Sequence, residues 1–548
     1  MPRAKYRLFV PIVLAAAMTG LNALKPPCID DTAYLAVARQ IAAHPLDPYG
    51  FDQFWYDRPQ PANEVLAPPV LPYWLGLGIA IFGGNIVALK LWLFPIALLL
   101  TVSLRELLSR FASGVETPVL VGLALSPEVL PGFNFMLDVP ELALAMAAMA
   151  VMLRALARDS LSLAGLAGAL AGLAAQTKYT GLIVPPLLLG AGLIRRRLLI
   201  GVLAAGVAAV LFGGWETFTA WLYGRSHFQM ALGDSGPSLG QRLLWLPGAG
   251  TKLIGSLGSP LVVLALAGWG RPRAAIVAAL LIVVGLVAVA VVPDTRTSSW
   301  VAEAQRDGPA LARLLNGVWG IALLIVVALT CLRLAWRWPL RWRLRRDVQA
   351  LLLWVALEWL GYFAMTPFPA ARRVMGILVV TTFVLAHFAS RTRFAASRWP
   401  LWIASLVSAA LGLFLAGIDT VDSRLEPAAV REAVAFIRKR EPDAHIWFTG
   451  HWGTQYEAER LGLRPIIPGH SVLRDGDWFI DGPTWIAKQE IQNTDALGPP
   501  EHVVRLDRAF RLRTLPSYYG GDQPIEWWPS PMQETRIYRL RATWTPRS

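Results

Sequence analysis

Charged residues of two kinds recur at the edges of apolar stretches in this chain: carboxylates at Asp30, Asp31 and Asp138, and cations at Lys178, Arg372 and Arg373. The first acids stand in Cys28-Ile29-Asp30-Asp31-Thr32-Ala33-Tyr34, ahead of a segment, 32–43, whose Tyr34, Leu35, Ala38 and Ile41 fall along one side of a helix. The next stands in Phe135-Met136-Leu137-Asp138-Val139-Pro140-Glu141, where a loop enters an apolar run. Lys178 lies in the polar turn Gln176-Thr177-Lys178-Tyr179-Thr180-Gly181. A carboxylate can take the proton of an attacking hydroxyl, and lysine and arginine neutralise a phosphate leaving group. Cleavage of a glycoside by water would instead need two carboxylates flanking one bond, one with a raised pKa. The cations therefore favour transfer from a phosphate-linked sugar. Each residue also has a plainer reading. Asp30 or Asp31 caps a helix start and complements its dipole. Asp138 does the same with Pro140 at an early helical position, and Lys178 snorkels to a membrane surface.

The elements that must position these residues are membrane helices. Of 548 residues 55% are hydrophobic and only 16% charged, against about 25% charged in ordinary soluble domains. A soluble enzyme and a disordered chain are excluded, and two cysteines, Cys28 and Cys331, are too few for a disulfide scaffold or metal cluster. A bilayer core of about 30 Å needs about 20 apolar helical residues. Thirteen spans are expected, near 7–24, 87–108, 115–132, 138–157, 161–177, 179–194, 198–221, 256–270, 273–293, 315–335, 349–366, 373–390 and 400–418. The basic start and the Ala15-Ala16-Ala17 run imitate a secretory signal, but so many spans follow that an uncleaved first span is expected.

The formal charge of +14 would suggest nucleic acid in a soluble protein. Its distribution says otherwise. With Arg3, Lys5 and Arg7 cytoplasmic, the alternate connections hold Arg105 and Arg110, Arg154 and Arg158, Arg195-Arg196-Arg197, Arg271 and Arg273, the block from Arg333 to Arg346, and Arg391 to Arg398. That is the positive-inside pattern, so much of the basic excess sets orientation and nucleic acid is not an expected partner. Arg372 and Arg373 fall on the outer side against the rule, and an anionic ligand at the outer leaflet accounts for them. The expected fold class is a polytopic α-helical membrane protein of about thirteen spans, N-terminus in and C-terminus out. Residues 1–419 form its transmembrane part, with a long first outer loop at 25–67. Residues 420–548 read as a small extracytoplasmic α/β domain, with helices at 426–439 and 453–461 and strands at 445–449 and 464–467. There Phe448-Thr449-Gly450-His451-Trp452-Gly453 is either an anion or sugar cradle or a plain turn. Trp478, Trp485, Trp527 and Trp528 either stack on sugars or rest on the interface.

At these motifs the chain resembles the GT-C class of membrane glycosyltransferases. The resemblance is to the protein O-mannosyltransferase and aminoarabinose-transferase superfamily, which uses polyprenyl-phosphate sugars. Asp30-Asp31 with Tyr34, Leu137-Asp138-Val139-Pro140, Thr177-Lys178, and Pro68-Pro69 with Tyr73 and Trp74 match its motifs in order. The resemblance implies an inverting transfer of one sugar from a polyprenyl phosphate at the outer face of a bacterial inner membrane. It makes Asp30 the catalytic base, Asp138 a supporting acid, Lys178 a donor-phosphate contact and Tyr34 part of the wall. Asp31, Tyr179, Arg372 and Arg373 are further substrate-binding candidates. Relatives carry Glu-Lys or His before the Pro-Pro pair where this chain has Leu66-Ala67, and Glu64 is the nearby substitute. No cofactor is required, although Asp30 and Asp138 can share Mg²⁺ or Mn²⁺, which prefer oxygen ligands. The acceptor is left open among lipid, glycan and protein. The competing classes are a secondary transporter or lipid flippase, with ionisable groups near the bilayer midplane, and a non-catalytic scaffold.

Overall fold

Leucine- and alanine-rich runs favour helix, and in a bilayer they must pair their backbone groups internally. The computed structural model describes residues 2–65, 68–233, 238–243, 249, 328, 332, 346–391, 399–483, 488–509, 511–521 and 525–547. From the N-terminus come α1 (Pro2–Ala23), α2 (Asp31–Ala43), the hairpin β1–β2 (Asp52–Trp55 and Arg58–Pro61) and α3 (Val70–Phe82). Next are α4 (Ile86–Leu91), α5 (Phe94–Phe111), α6 (Glu116–Ala124), α7 (Val129–Gly132), α8 (Asp138–Arg158) and α9 (Leu161–Ala175). They are followed by α10 (Val184–Ile194), α11 (Leu198–Tyr223), α12 (His227–Gly233) and α13 (Leu239–Leu243). Then come α14 (Arg346–Met365), α15 (Met375–Ala389) and α16 (Trp399–Asp422).

The apolar runs inside the described residues are helical, two of them in pieces: 87–108 breaks between α4 and α5, and 115–132 between α6 and α7. The runs 256–270 and 273–293 lie outside the described residues, as does 315–335 apart from residues 328 and 332. Among the described residues five helices are long and apolar enough to cross a membrane: Ile86–Phe111, Asp138–Arg158, Leu198–Tyr223, Arg346–Met365 and Trp399–Arg440. Small residues let the helices meet closely. A side chain at Gly168 of α9 would strike the Ala204 carbonyl of α11 at 2.3 Å. Helix α3, too short to read as a span, packs on α2, and a side chain at Gly76 would meet Ile41 at 2.9 Å.

Only Ser423 and Arg424 separate α16 from α17 (Leu425–Arg440). Beyond it lie β3 (Ile446–Phe448), α18 (Trp452–Arg460), β4 (Arg464–Pro465), β5 (Trp478–Asp481), β6 (His502–Leu506) and β7 (Leu512–Arg513). Helix α19 (Leu515–Tyr518) and strands β8 (Glu526–Trp527) and β9 (Gln533–Arg539) complete the chain. Strands order as β4-β3-β5-β9-β6, with β3 parallel to β4 and β5, and β9 antiparallel to β5 and β6. The expected helices and the strands at 445–449 and 464–467 are present with shifted ends. Helix α17 is the expected surface helix: Ala429, Val430, Ala433, Val434 and Ile437 are buried against this sheet, while Arg431, Glu432, Ala435, Arg438 and Lys439 are exposed. Strand β9 escapes a hydropathy reading because its inward residues include Gln533 and Thr535. Trp478 and Trp528 are buried rather than presented to a sugar or a lipid surface. Trp485 lies outside the described residues.

A buried ion pair and a lysine–tyrosine hydrogen bond join this C-terminal part to the helices. Asp422, in the last turn of α16, accepts from Arg513 Nε at 2.8 Å and from the backbone N–H groups of Thr514 and Leu515, each at 3.0 Å, which caps α19. Lys25, just after α1, pairs with Asp419 and donates to the Tyr519 hydroxyl. Both acids sit at the end of an apolar run, where their burial is offset by these partners and, for Asp419, by the Thr514 hydroxyl at 2.7 Å.

Candidate functional site

The chain leaves α1 and turns at Ile29, a β-branched residue held at φ 51°, which is a costly conformation found where a fold over-determines it. The turn makes Asp30 the N-cap of α2, yet its side chain forms no capping hydrogen bond. Instead its Oδ2 accepts from Arg372 Nη2 at 3.2 Å, and no donor among the described residues engages Oδ1. The neighbouring acid behaves differently. Asp31 accepts from the Cys28 backbone N–H at 3.1 Å and from Asn134, with the Lys90 ammonium 3.9 Å away, and all of this is fully buried. Burial pushes its carboxyl up, against the pull of Lys90 and Lys25. One helical step rotates a side chain by about 100°, so adjacent aspartates face different ways. Asp31, expected to bind substrate, does not line the cavity that Asp30 faces.

Asp138 opens α8 without a capping hydrogen bond. Its Oδ1 pairs with Lys178 at 2.5 Å and its Oδ2 with Arg372 at 3.6 Å. Lys178 therefore turns inward to an acid instead of outward to a lipid surface. Arg372 and Arg373 lie on the single turn Ala371–Val374 that leads into α15. Arg372 is buried and its fork spans both acids, a geometry lysine cannot copy. The Arg373 guanidinium lies over the Phe368 ring, 4.1 Å from its centroid.

These groups line one cavity of roughly 690 Å³. Asp30, Tyr34, Glu64, Asp138, Lys178, Tyr179, Arg372 and Arg373 all contribute to it, as does Pro68. Tyr73 and Trp74 do not. The Tyr73 hydroxyl donates to the Pro45 carbonyl at 2.6 Å, and Trp74 stacks on Trp92 at 4.8 Å. The Tyr179 hydroxyl is engaged by His227 at 2.7 Å, whose Nε2 donates to the Val65 carbonyl at 3.0 Å, so Nδ1 accepts from the tyrosine. Sequence reasoning missed His227, Arg242, Trp55, Tyr56 and Tyr519, all of which line the cavity, whereas Trp452, which also lines it, was read only as part of a turn that is either a cradle or plain. Tyr519 stands between two cations, with Lys25 at 5.1 Å and Arg372 at 5.7 Å from its ring, and its hydroxyl donates to Asp419 at 3.2 Å. Its only sequence signal was the aromatic and glycine turn Tyr518-Tyr519-Gly520-Gly521. Cations outnumber acids on the lining, with Lys178, Arg242, Arg372 and Arg373 against Asp30, Glu64 and Asp138, which favours an anionic ligand.

Asp30 and Asp138 do not fit a shared divalent ion as arranged, because the Arg372 fork already bridges them. Among the described residues no group of three or more His, Cys, Asp or Glu is placed to hold a metal. Activity at this site is accordingly expected to persist in EDTA. A loss restored by Mg²⁺ or Mn²⁺ but not by Ca²⁺ would assign a cation to the two aspartates in place of the guanidinium.

A family model described as dolichyl-phosphate-mannose-protein mannosyltransferase matches residues 67–216. This stretch includes Pro68-Pro69, Asp138 and Lys178, and the match agrees with the GT-C recognition made from the motifs. No curated protein sequence matches the chain. Among solved structures the chain is similar to the oligosaccharyltransferase of Archaeoglobus fulgidus, crystallised with Zn and sulfate. That similarity has TM-score 0.48 and 14% identity, covering 87% of this chain and 68% of that one. It is similar to ArnT from Cupriavidus metallidurans bound to undecaprenyl phosphate at TM-score 0.41 and 15% identity, covering 98% of each chain. The arabinosyltransferase EmbB from Mycobacterium smegmatis is matched at TM-score 0.35 and 14% identity, covering 92% of this chain and 47% of that one.

Proposed function

We propose that this chain moves a single sugar from a polyprenyl-phosphate donor to an acceptor hydroxyl, with inversion, at the outer face of a bacterial inner membrane. One observation carries the reading. Asp30, Asp138, Lys178, Arg372 and Arg373 meet in a single cavity although Asp30 and Arg372 are 342 positions apart in the chain. The positive-inside pattern supports about thirteen spans with the N-terminus inside and the cavity outside. Residues 1–419 then form the transmembrane catalytic part and 420–548 an extracytoplasmic one.

In the proposed step the acceptor oxygen attacks the anomeric carbon from the face opposite the phosphate. The carbon–oxygen bond to the phosphate breaks, and its electron pair leaves with the polyprenyl phosphate. The acceptor proton passes to Asp30, whose Oδ1 is open, and is later lost to water. A phosphate leaving group is already a weak base, so no general acid is required; what lowers the barrier is fixed positive charge where negative charge grows. Lys178 and Arg373 supply it. Asp138 holds Lys178 and Arg372 at their stations, and Arg372 orients Asp30. Tyr34, Tyr179 and Glu64 shape the wall, while Asp31 braces the start of α2.

The test supplies purified full-length protein with labelled polyprenyl-phosphate hexose and pentose and follows both products. Sugar transferred or released in step with free polyprenyl phosphate supports the reading. Accumulation of a solute or a flipped lipid in proteoliposomes, with no bond broken, would instead establish a transporter. Lys178→Met is expected to weaken donor binding roughly 10- to 100-fold, the worth of one charge-assisted contact. Unchanged donor affinity would remove Lys178 from the phosphate site.

A further inference from the structure

Beside the acids and cations, part of the same cavity lining is aromatic. Trp55 and Tyr56 reach it from the tip of the β1–β2 hairpin, and Trp452 from the start of α18. The hairpin is clamped to the C-terminal part. Gln455 donates to the Phe54 carbonyl at 3.0 Å, and the buried His451 ring packs against Trp55 at 4.4 Å and Tyr56 at 4.5 Å. Glu426 holds the start of α18 by accepting from the Thr454 N–H at 3.1 Å. Tyr56 and Trp452 both occupy the left-handed region, at φ 59° and φ 55°, a cost that recurs at ligand clamps. The Tyr56 phenol is raised by burial first and by the nearby Asp30 charge second, so it remains a hydrogen-bond donor. The aromatic wall is therefore a rigid surface next to the proposed base, and no step at the phosphate uses it.

We infer that Trp55, Tyr56 and Trp452 form the acceptor subsite and that the acceptor is a carbohydrate. This rests on the transfer reading above, which requires the group nearest Asp30 to be the acceptor. A pyranose or furanose ring offers flat C–H faces that pack on indole and phenol rings, while its hydroxyls reach the Asp30 carboxylate. A polypeptide acceptor would be held through its backbone amides, commonly along a strand edge. The tip of the hairpin brings aromatic side chains to the cavity instead.

The experiment needs no donor. Full-length protein in detergent is titrated with manno-, gluco-, galacto- and arabino-oligosaccharides and, separately, with a Ser/Thr-containing octapeptide, followed by saturation-transfer NMR and tryptophan fluorescence. At least one oligosaccharide series is expected to bind. Trp55→Ala should weaken it roughly tenfold, in keeping with loss of one stacked ring, and Trp55→Phe should retain most of it. Trp55 is only half-buried, so this pair of variants avoids the folding risk of replacing Trp452. Failure of every oligosaccharide to bind, equal binding by Trp55→Ala, or binding of the octapeptide weakened by the same variant would each overturn the inference. Sugar transfer without oligosaccharide binding would refute the subsite alone. Oligosaccharide binding with no transfer would refute the transfer reading and leave a carbohydrate-binding wall.

Discussion

Asp30→Asn is expected to lower sugar transfer by two to three orders of magnitude while leaving the protein folded. The amide keeps the shape of the carboxylate and can still accept from Arg372, so the bridge to Asp138 survives. What it lacks is an oxygen basic enough to take the acceptor proton, a contribution typically worth 10²- to 10⁴-fold. Asp30 retains about a quarter of its side-chain exposure (24%), and the buried Arg372 keeps Asp138 at 3.6 Å, so neutralising Asp30 does not leave the guanidinium without a carboxylate. Initial rates with labelled donor, read beside an unchanged elution profile and unfolding midpoint, decide the matter. Near-wild-type turnover in this variant would end the role of Asp30 as base.

The second large effect is on stability and lies away from the chemistry. Arg513→Met is expected to destabilise the protein by about 3–5 kcal/mol, the usual cost of breaking a buried ion pair from one side. Asp422 and Arg513 are both fully buried, and Asp422 also accepts the first N–H groups of α19. Losing the arginine leaves a carboxylate in a dry site at the base of the segment that places Leu515, Pro516, Tyr519 and Gly520 in the cavity wall. The double variant Asp422→Leu with Arg513→Met should recover part of the loss, because no uncompensated charge remains, but not all, because α19 is still uncapped. Denaturant-induced unfolding in detergent, followed by tryptophan fluorescence, measures both. An unshifted midpoint in Arg513→Met would mean that the pair carries none of the load assigned to it.

The catalytic candidates were visible in the sequence because they break its own rules. Asp138 and Lys178 interrupt apolar runs, and Arg372 and Arg373 stand at a connection that the expected alternation of basic connections leaves without positive charge. Asp30 and Asp31 show the limit of that approach. Both stand at the start of the same helix, and only the turn at Ile29 decides which of them faces the cavity. Hydropathy also could not find β9, whose buried face is partly polar. The largest omission was the aromatic lining. Trp452 and Tyr519 lie beyond the stretch in which motifs could be matched, and what brings them to Asp30 is tertiary contact over hundreds of positions. The C-terminal part was legible as a change of composition, from lipid-like to charged. That it closes the cavity was not, since nothing local in the sequence records what a distant side chain will touch.

The pairing of Lys25 with Tyr519 spans 494 positions, and that separation is also an interval of time. At synthesis rates of about 5–20 residues per second, roughly 25–100 s pass between the emergence of the two residues. During that interval the first helix can already be in the bilayer, with Lys25 wet and the cavity open on one side. The finished site has to wait for Tyr519. A prematurely released chain ending between Lys178 and Tyr519 would carry Asp30, Asp138 and Lys178, yet lack the wall that Tyr519 contributes to their chamber.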